Sequence, residues 1–215
     1  MRLVLLGPPG AGKGTQGQAL AAHYGIPHVA TGDIVRDHIA RGTPFGRKVE
    51  AAIAAGNFVS DADILYWVGQ RLSLSDAQGG YVLDGFPRDV AQAEAFEAAP
   101  DAVVALDIAE DKLIARLSGR LVCPICDTVY QVDLRPPRRA GVCDNEGAAL
   151  VRRPDDEPGA VRHRLEVYHA LTEPLEAYYD QRGLLRRVDA SGPPAAVTVD
   201  ILHVLSAGAV PDHVY

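Results

Sequence analysis

LVLLGPPGAGKGTQ, residues Leu3 to Gln16, decides how the rest of the chain is read. Leu3–Leu6 is a continuous apolar run, the pattern of a strand buried on both faces of a parallel sheet. Gly7 to Gly12 break it, and Thr15–Tyr24 resumes as a helix with apolar Ala19, Leu20 and Ala22. Strand, glycine loop, helix is the setting in which G-x-x-x-x-G-K reads as a phosphate cradle. Glycines let backbone N–H groups approach phosphate oxygens, the helix N-terminus adds partial positive charge, and Lys13 supplies a mobile cation. The plain alternative is a glycine turn that only joins strand to helix. One position departs from the usual pattern. A Ser or Thr normally follows the lysine and offers its hydroxyl to magnesium, whereas here Gly14 follows and the hydroxyl arrives one step late, at Thr15.

Working outward, His28–Ala30 reads as a second strand, and Asp33 as the cap of a helix through Val35, Ile39 and Ala40. Phe45–Ala55, ended by Gly56, and Asp61–Leu74 read as two more helices. Tyr81–Leu83 is a short strand that ends in an acid, Val103–Ile108 another strand, and Asp111–Leu121 an amphipathic helix. Residues 122–156 change character: they are rich in Cys, Pro, Gly, Asp and Arg without helical period, an irregular insertion. Pro158–Asp180 returns to helix, Leu184–Val188 is a last strand and Pro194–Leu205 a last helix. This alternation predicts an α/β fold, a parallel sheet with right-handed crossovers flanked by helices.

With 215 residues, 47% of them apolar, the chain holds one sizeable domain with a full core. A formal charge of -7 argues against nucleic acid or an acidic membrane as partner. Lys13, Lys48 and Lys112 are the only lysines. The remaining cations are arginines, which either grip phosphate bidentately or reflect a compositional bias. No apolar run nears the roughly 20 residues of a bilayer span. MRLVLLG enters a strand at once without the look of a signal peptide. A cytoplasmic, soluble monomer is expected.

The second chemical motif is Asp84-Gly85-Phe86-Pro87-Arg88. An acid at the C-terminal end of a strand stands where open α/β sheets bind ligands. Beside a polyphosphate it can organise magnesium and its waters, while alone the same residues spell a turn. Taken together, GPPGAGKGTQ, TGD followed by Arg36, and DGFPRD followed by Gln92 resemble the adenylate kinase family, over essentially the whole chain and in its long-lid, zinc-type form.

The resemblance implies a P-loop NTPase-like core (1–29, 60–121 and 157–215), an acceptor-binding piece (30–59) and a lid (122–156). It implies transfer of a phosphoryl group from magnesium-ATP to AMP, giving two ADP. Gly14 is then a family trait, with the metal held largely through phosphates and water near Asp84. ATP would be held by Gly10, Ala11, Gly12, Lys13, Gly14, Thr15, Arg116 and Arg120, with weaker contacts from Val129, Tyr130 and Gly192. AMP would be held by Thr31, Arg36, Asn57, Phe58, Val59, Gly85, Phe86, Pro87 and Arg88, and Gln92 would read the adenine edge. Arg153 and Arg164 would clamp the phosphates, with Asp155 and Asp156 as the acidic pair of the lid. The catalytic set is Lys13, Arg88, Arg120, Arg153, Arg164 and Asp155, with no catalytic histidine. Arg116, four residues before Arg120, is expected on the same helix face. Asn57 replaces a common lysine, Leu121 replaces a second arginine seen in some members, and Asp89 replaces a common threonine with a carboxylate that can compete for Arg88.

Within the insertion, Cys123, Cys126, Cys143 and Glu146 are spaced C-x2-C-x16-C-x2-E. Paired knuckles at this separation read as a closed structural zinc site, with Glu146 as an unusual fourth ligand and Asp144 a substitute at worse spacing. The alternative is a lid that keeps three cysteines as packing residues. Rival functions are a nucleoside monophosphate kinase for CMP or UMP, the same chemistry with GTP as donor, a nucleotide switch without transfer, and a zinc-ribbon binding module.

Overall fold

The computed structural model describes residues 1–55, 57, 59–96 and 98–207. β1 (Arg2–Leu6) leads through the glycine loop into α1 (Lys13–Tyr24). β2 (His28–Ala30), α2 (Thr31–Ala40), α3 (Pro44–Ala54) and α4 (Asp61–Leu72) follow. Then come β3 (Tyr81–Asp84), α5 (Val90–Ala95), β4 (Ala102–Asp107) and α6 (Glu110–Ser118). A small antiparallel pair, β5 (Arg120–Val122) and β6 (Val129–Gln131), opens the insertion. The chain returns as α7 (Pro158–Val167), α8 (Pro174–Asp180), β7 (Leu185–Asp189) and α9 (Pro194–Ala207).

The main sheet has the order β2-β3-β1-β4-β7, and all its pairings are parallel. A parallel sheet needs crossovers that put helices on both faces, so its strands must be apolar on both. Leu3 and Leu5 point into one core with Leu20, Leu113, Leu117 and Ile201. Val4 and Leu6 point into the other with Ile64, Val68, Leu175 and Tyr179. The register brings the strands' C-terminal ends to one edge: Leu5 and Ala30 both lie opposite Asp84, and Asp107 lies opposite Asp189. With β1 at the centre, its neighbours run off to both sides, so the glycine loop opens at the switch point where such sheets bind ligands.

Several expectations need correction. α2 starts at Thr31 with Ala30 at the cap position, so Asp33 does not cap it; Asp33 sits in the first turn and pairs with Arg36. α6 ends at Ser118, and Arg120 therefore lies on β5, not on the helix face of Arg116. The insertion is not wholly irregular, since it holds β6. The single helix expected over 158–180 is interrupted by a π-helical turn, Tyr168–Thr172. Pro174 causes the break: its ring lacks an N–H and crowds the preceding turn, and the chain widens so that Glu173 N–H bonds the Tyr168 carbonyl at 3.0 Å. α5 was not expected, being too short for a clear period; Asp89 caps it by accepting from Gln92 N–H at 2.7 Å. Gly56 and Phe58 lie outside the described residues.

Candidate active site

The glycine loop closes on itself. Gly12, at the N-cap of α1, has φ 101°, a left-handed conformation that a side chain would strain. Lys13 folds back and donates from Nζ to the carbonyls of Gly7 at 2.6 Å and Pro8 at 3.0 Å. It is half-buried in the chamber wall, and desolvation lowers its pKa to about 8, opposed by Asp84 and assisted by Arg164, Arg88 and Arg120. A cation so placed is ready for an anion that returns its lost solvation.

Asp84 ends β3 beside the loop. Its carboxyl is held below the usual range: burial pushes it up, but His28, Lys13 and Arg88 outweigh that. A Cβ on Gly14 would stand 3.6 Å from Asp84 Oδ2. The residue that replaces the usual hydroxyl thus faces the carboxylate, and the opening discrepancy resolves into a pair. Gly14 leaves room where Asp84 supplies oxygen, the donor that magnesium prefers.

Two chambers meet here. The larger, about 430 Å³, is lined by every residue expected to hold ATP, from Gly10 to Thr15 and on to Arg116, Arg120, Val129, Tyr130 and Gly192. The smaller, about 160 Å³, is lined by Arg36, Asn57, Val59, Gly85, Arg88 and Gln92 of the expected AMP set, with Asp84 and Asp155. Arg36, Arg153 and Arg164 line both. Thr31 and Phe86 are instead fully buried struts: Thr31 Oγ1 donates to the Gly85 carbonyl at 2.9 Å, and Phe86 packs edge-on to Phe96. Pro87 is not among the lining residues either, and Phe58 lies outside the described residues. Sequence reading missed the apolar wall of this chamber, Val35, Ile53 and Ile64. Their helical period signalled burial but not the side of a cavity.

The arginines are held at specific angles. Arg120 grips Asp156 with both Nε, at 2.6 Å to Oδ2, and Nη2, to Oδ1. Arg164 Nη1 pairs with Asp155 at 2.9 Å and with Asp156 at 3.3 Å. Arg88 Nε donates to the Gly85 carbonyl at 2.8 Å. Burial, reinforced by Arg164 beside it, lowers Arg88 to about 10, and burial with Arg36 and Arg120 does the same for Arg153. Arg153 carries no ion pair among the described residues. The cations lining the two chambers outnumber the carboxylates, an arrangement that favours polyanions between them. Arg116, at the wall of the larger chamber, bridges backbone: its Nη2 donates to the Ala190 carbonyl at 2.8 Å and its Nη1 to the Ala11 carbonyl at 3.4 Å, tying α6 to the glycine loop and to the loop that carries Gly192.

Asp89 does not compete visibly for Arg88. Its carboxylate accepts from Gln92 N–H and, at 3.2 Å, from Gln92 Nε2. Gln92 itself is buried, its Nε2 also donating to Asp61 at 2.6 Å and its Oε1 accepting from Arg88 N–H at 2.9 Å. In this arrangement the amide braces the Arg88 turn.

In the insertion, the sulfurs of Cys123, Cys126 and Cys143 come within 4.8 Å of one another, around a small core with Tyr130. Burial pushes the Cys143 thiol up, but the N–H groups of Glu146 and Asn145 and the Tyr130 hydroxyl bring it down to about 7. N–H groups aimed at sulfur suit a bound thiolate. Glu146 is outside this group, against expectation: its backbone N–H faces the Cys143 sulfur, and the residue is exposed. Asp144 is committed to Arg138 N–H at 2.8 Å. The residues therefore fit a thiophilic ion through three sulfurs.

The comparisons agree with this geometry. A family model described as Adenylate kinase matches residues 5–184. An Adenylate kinase of Anaeromyxobacter sp. (strain Fw109-5) is 46% identical over 96% of this chain and 100% of its own length. One of Moorella thermoacetica is 47% identical over 94% and 96%, and one of Symbiobacterium thermophilum 43% over 96% and 99%. With a P-loop, two chambers sharing three arginines and relatives matched over nearly their whole length, this chain belongs to the adenylate kinase family.

Proposed function

We propose that the chain transfers a phosphoryl group reversibly between magnesium-ATP and AMP, giving two ADP, with ATP in the larger chamber and AMP in the smaller. The observation that carries this reading is the shared wall of Arg36, Arg153 and Arg164. Phosphoryl transfer asks little covalent chemistry of a protein. It needs two oxygens in line and positive charge on the group that moves. Lys13 and the loop N–H groups hold the donor phosphates, Arg88 orients the acceptor phosphate, and Arg120, Arg153 and Arg164 neutralise the charge in flight. Magnesium, organised near Asp84, supplies further charge compensation when bound. No general base is needed, and no histidine is placed in the catalytic set.

In this reading residues 30–59 carry the acceptor, 122–156 form a lid that keeps water from the reacting phosphate, and the remainder is the core. The chain works as a cytoplasmic monomer. No helix of the described residues is long and apolar enough to cross a membrane. A structural zinc would be held by Cys123, Cys126 and Cys143 and would stiffen a lid with little core of its own.

The test of the reaction is product analysis with magnesium-ATP and an equal mixture of AMP, CMP, UMP and GMP. AMP alone should be consumed, with ADP rising and no free phosphate. Depletion of CMP or UMP would overturn the acceptor assignment, and free phosphate without a diphosphate product would overturn the transfer. Arg88→Ala is expected to lower kcat about 100-fold and to weaken AMP at least tenfold, leaving ATP binding near normal. Near-normal turnover would show that the guanidinium is not where AMP sits. For zinc, metal content after purification without chelator should approach one ion per chain. Glu146→Gln should keep that content and Cys143→Ser should lose it. A wild type without zinc, with thiols free to react, would leave the three cysteines as packing residues.

A further inference from the structure

His28 opens β2, and its ring lies against α1 in a notch that only glycine leaves: a Cβ on Gly17 would stand 2.4 Å from His28 Nε2. That nitrogen is buried and has no hydrogen-bond partner among the described residues. A buried polar atom without a partner is costly and calls for a reason. The charged group facing it is Asp84, whose Oδ2 is 3.7 Å away, just beyond hydrogen-bond reach. The same Oδ2 faces Gly14 of the loop. The carboxylate therefore stands between the loop residue that lacks the usual hydroxyl and an imidazole nitrogen that bonds nothing else among the described residues. His28 also lines the larger chamber, together with the loop.

We infer that His28 is a positioning residue for Asp84: its Nε2–H closes on Oδ2 when nucleotide and metal arrive, and fixes the carboxylate that organises the metal. The inference rests on the kinase reading above, because it assigns Asp84 to magnesium. His28 stands at the chamber wall behind Asp84, and its role in the metal site runs through that carboxylate. A carboxylate aimed from behind loses less freedom on engaging a cation and its water shell, which is why such outer partners typically matter by about 10- to 100-fold in metal affinity or activity. A neutral ring with its proton on Nε2 suffices. Gln can imitate it, since the amide nitrogen reaches about as far from Cα as Nε2 does, whereas Leu fills similar space with no donor.

The experiment is calorimetric binding of ATP, once with EDTA and once with saturating magnesium, for wild type, His28→Gln and His28→Leu. The quantity read is the factor by which magnesium tightens ATP. Wild type should show a clear gain, His28→Gln most of it, and His28→Leu a gain smaller by about tenfold, with metal-free affinity unchanged in all three. Three results would overturn the inference. An undiminished gain in His28→Leu would mean the ring only packs. Equal losses with and without magnesium would mean that it shapes the loop rather than the metal site. No magnesium gain in the wild type would remove the metal role of Asp84 and, with it, this part of the kinase reading.

Discussion

Lys13→Met is expected to lower turnover by about 1000-fold or more while leaving the nucleotide-free protein as stable as the wild type or more so. The two effects have one cause. Lys13 is seated where its charge is poorly solvated, with Arg88, Arg120 and Arg164 close enough to oppose it, and its pKa falls to about 8. Donor phosphates reverse that penalty, so the lysine binds the anion more strongly than a surface lysine would. Methionine has nearly the same length and no charge. The sign of the pH effect follows from linkage. Between about 8 and 10.5 the unfolded lysine still holds its proton while the folded one has lost it, so stability rises with pH through that window. Below it, the fold bears the full cost of the buried cation. The melting-temperature advantage of Lys13→Met over wild type should therefore be larger at pH 7 than near pH 10. A variant melting well below wild type at pH 7 would show that the bonds from Nζ to Gly7 and Pro8 outweigh desolvation. Retained turnover would mean the loop holds its ligand without the lysine.

Asp156→Asn is expected to destabilise the protein by about 3 kcal/mol, lowering Tm by about 10 °C. The Asp156 side chain is 0% exposed, and Arg120, which grips it, is 17% exposed. Arg164 shares the same carboxylate. Removing that one charge strips Arg120 of its partner and leaves Arg164 to Asp155 alone, with Arg153 and Arg36 nearby. Breaking a buried pair costs more than the pair itself contributes, because the surviving charge stays desolvated. Saturating nucleotide should recover part of the loss, since phosphate replaces the missing carboxylate and ligand stabilises the folded form by mass action. The check is a melting curve with and without nucleotide. A loss under about 2 °C without nucleotide would mean the cluster is well hydrated. No recovery with nucleotide would mean that the arginines do not turn to phosphate.

The sheet was legible because its signals are local. Apolar runs at Leu3–Leu6 and Val103–Leu106 announce strands buried on both faces, and both are found in the parallel sheet. Glycine, lysine and helix follow one another within a few residues, so the loop could be read without knowing where the rest of the chain lay. The short α5 and the split before Pro174 were not legible. A six-residue helix has too little period to detect, and a proline after a long periodic stretch does not say how the chain will accommodate it.

Each residue that the resemblance implies for ATP lines the larger chamber. The sequence by itself determined the alternation of strands and helices, the phosphate loop, the excess of arginine and the knuckle spacing, because these depend on residue type and short separations. Only the tertiary structure decided that Arg120 leaves the helix to grip Asp156, that Gln92 braces Arg88, that Glu146 stands apart from the three sulfurs, and that an unpartnered His28 nitrogen faces Asp84. Those are pairings between charges and polar groups brought together by the closure of the fold. Their partners are chosen by distance in space and by the cost of leaving a buried polar group alone, which no local spacing encodes.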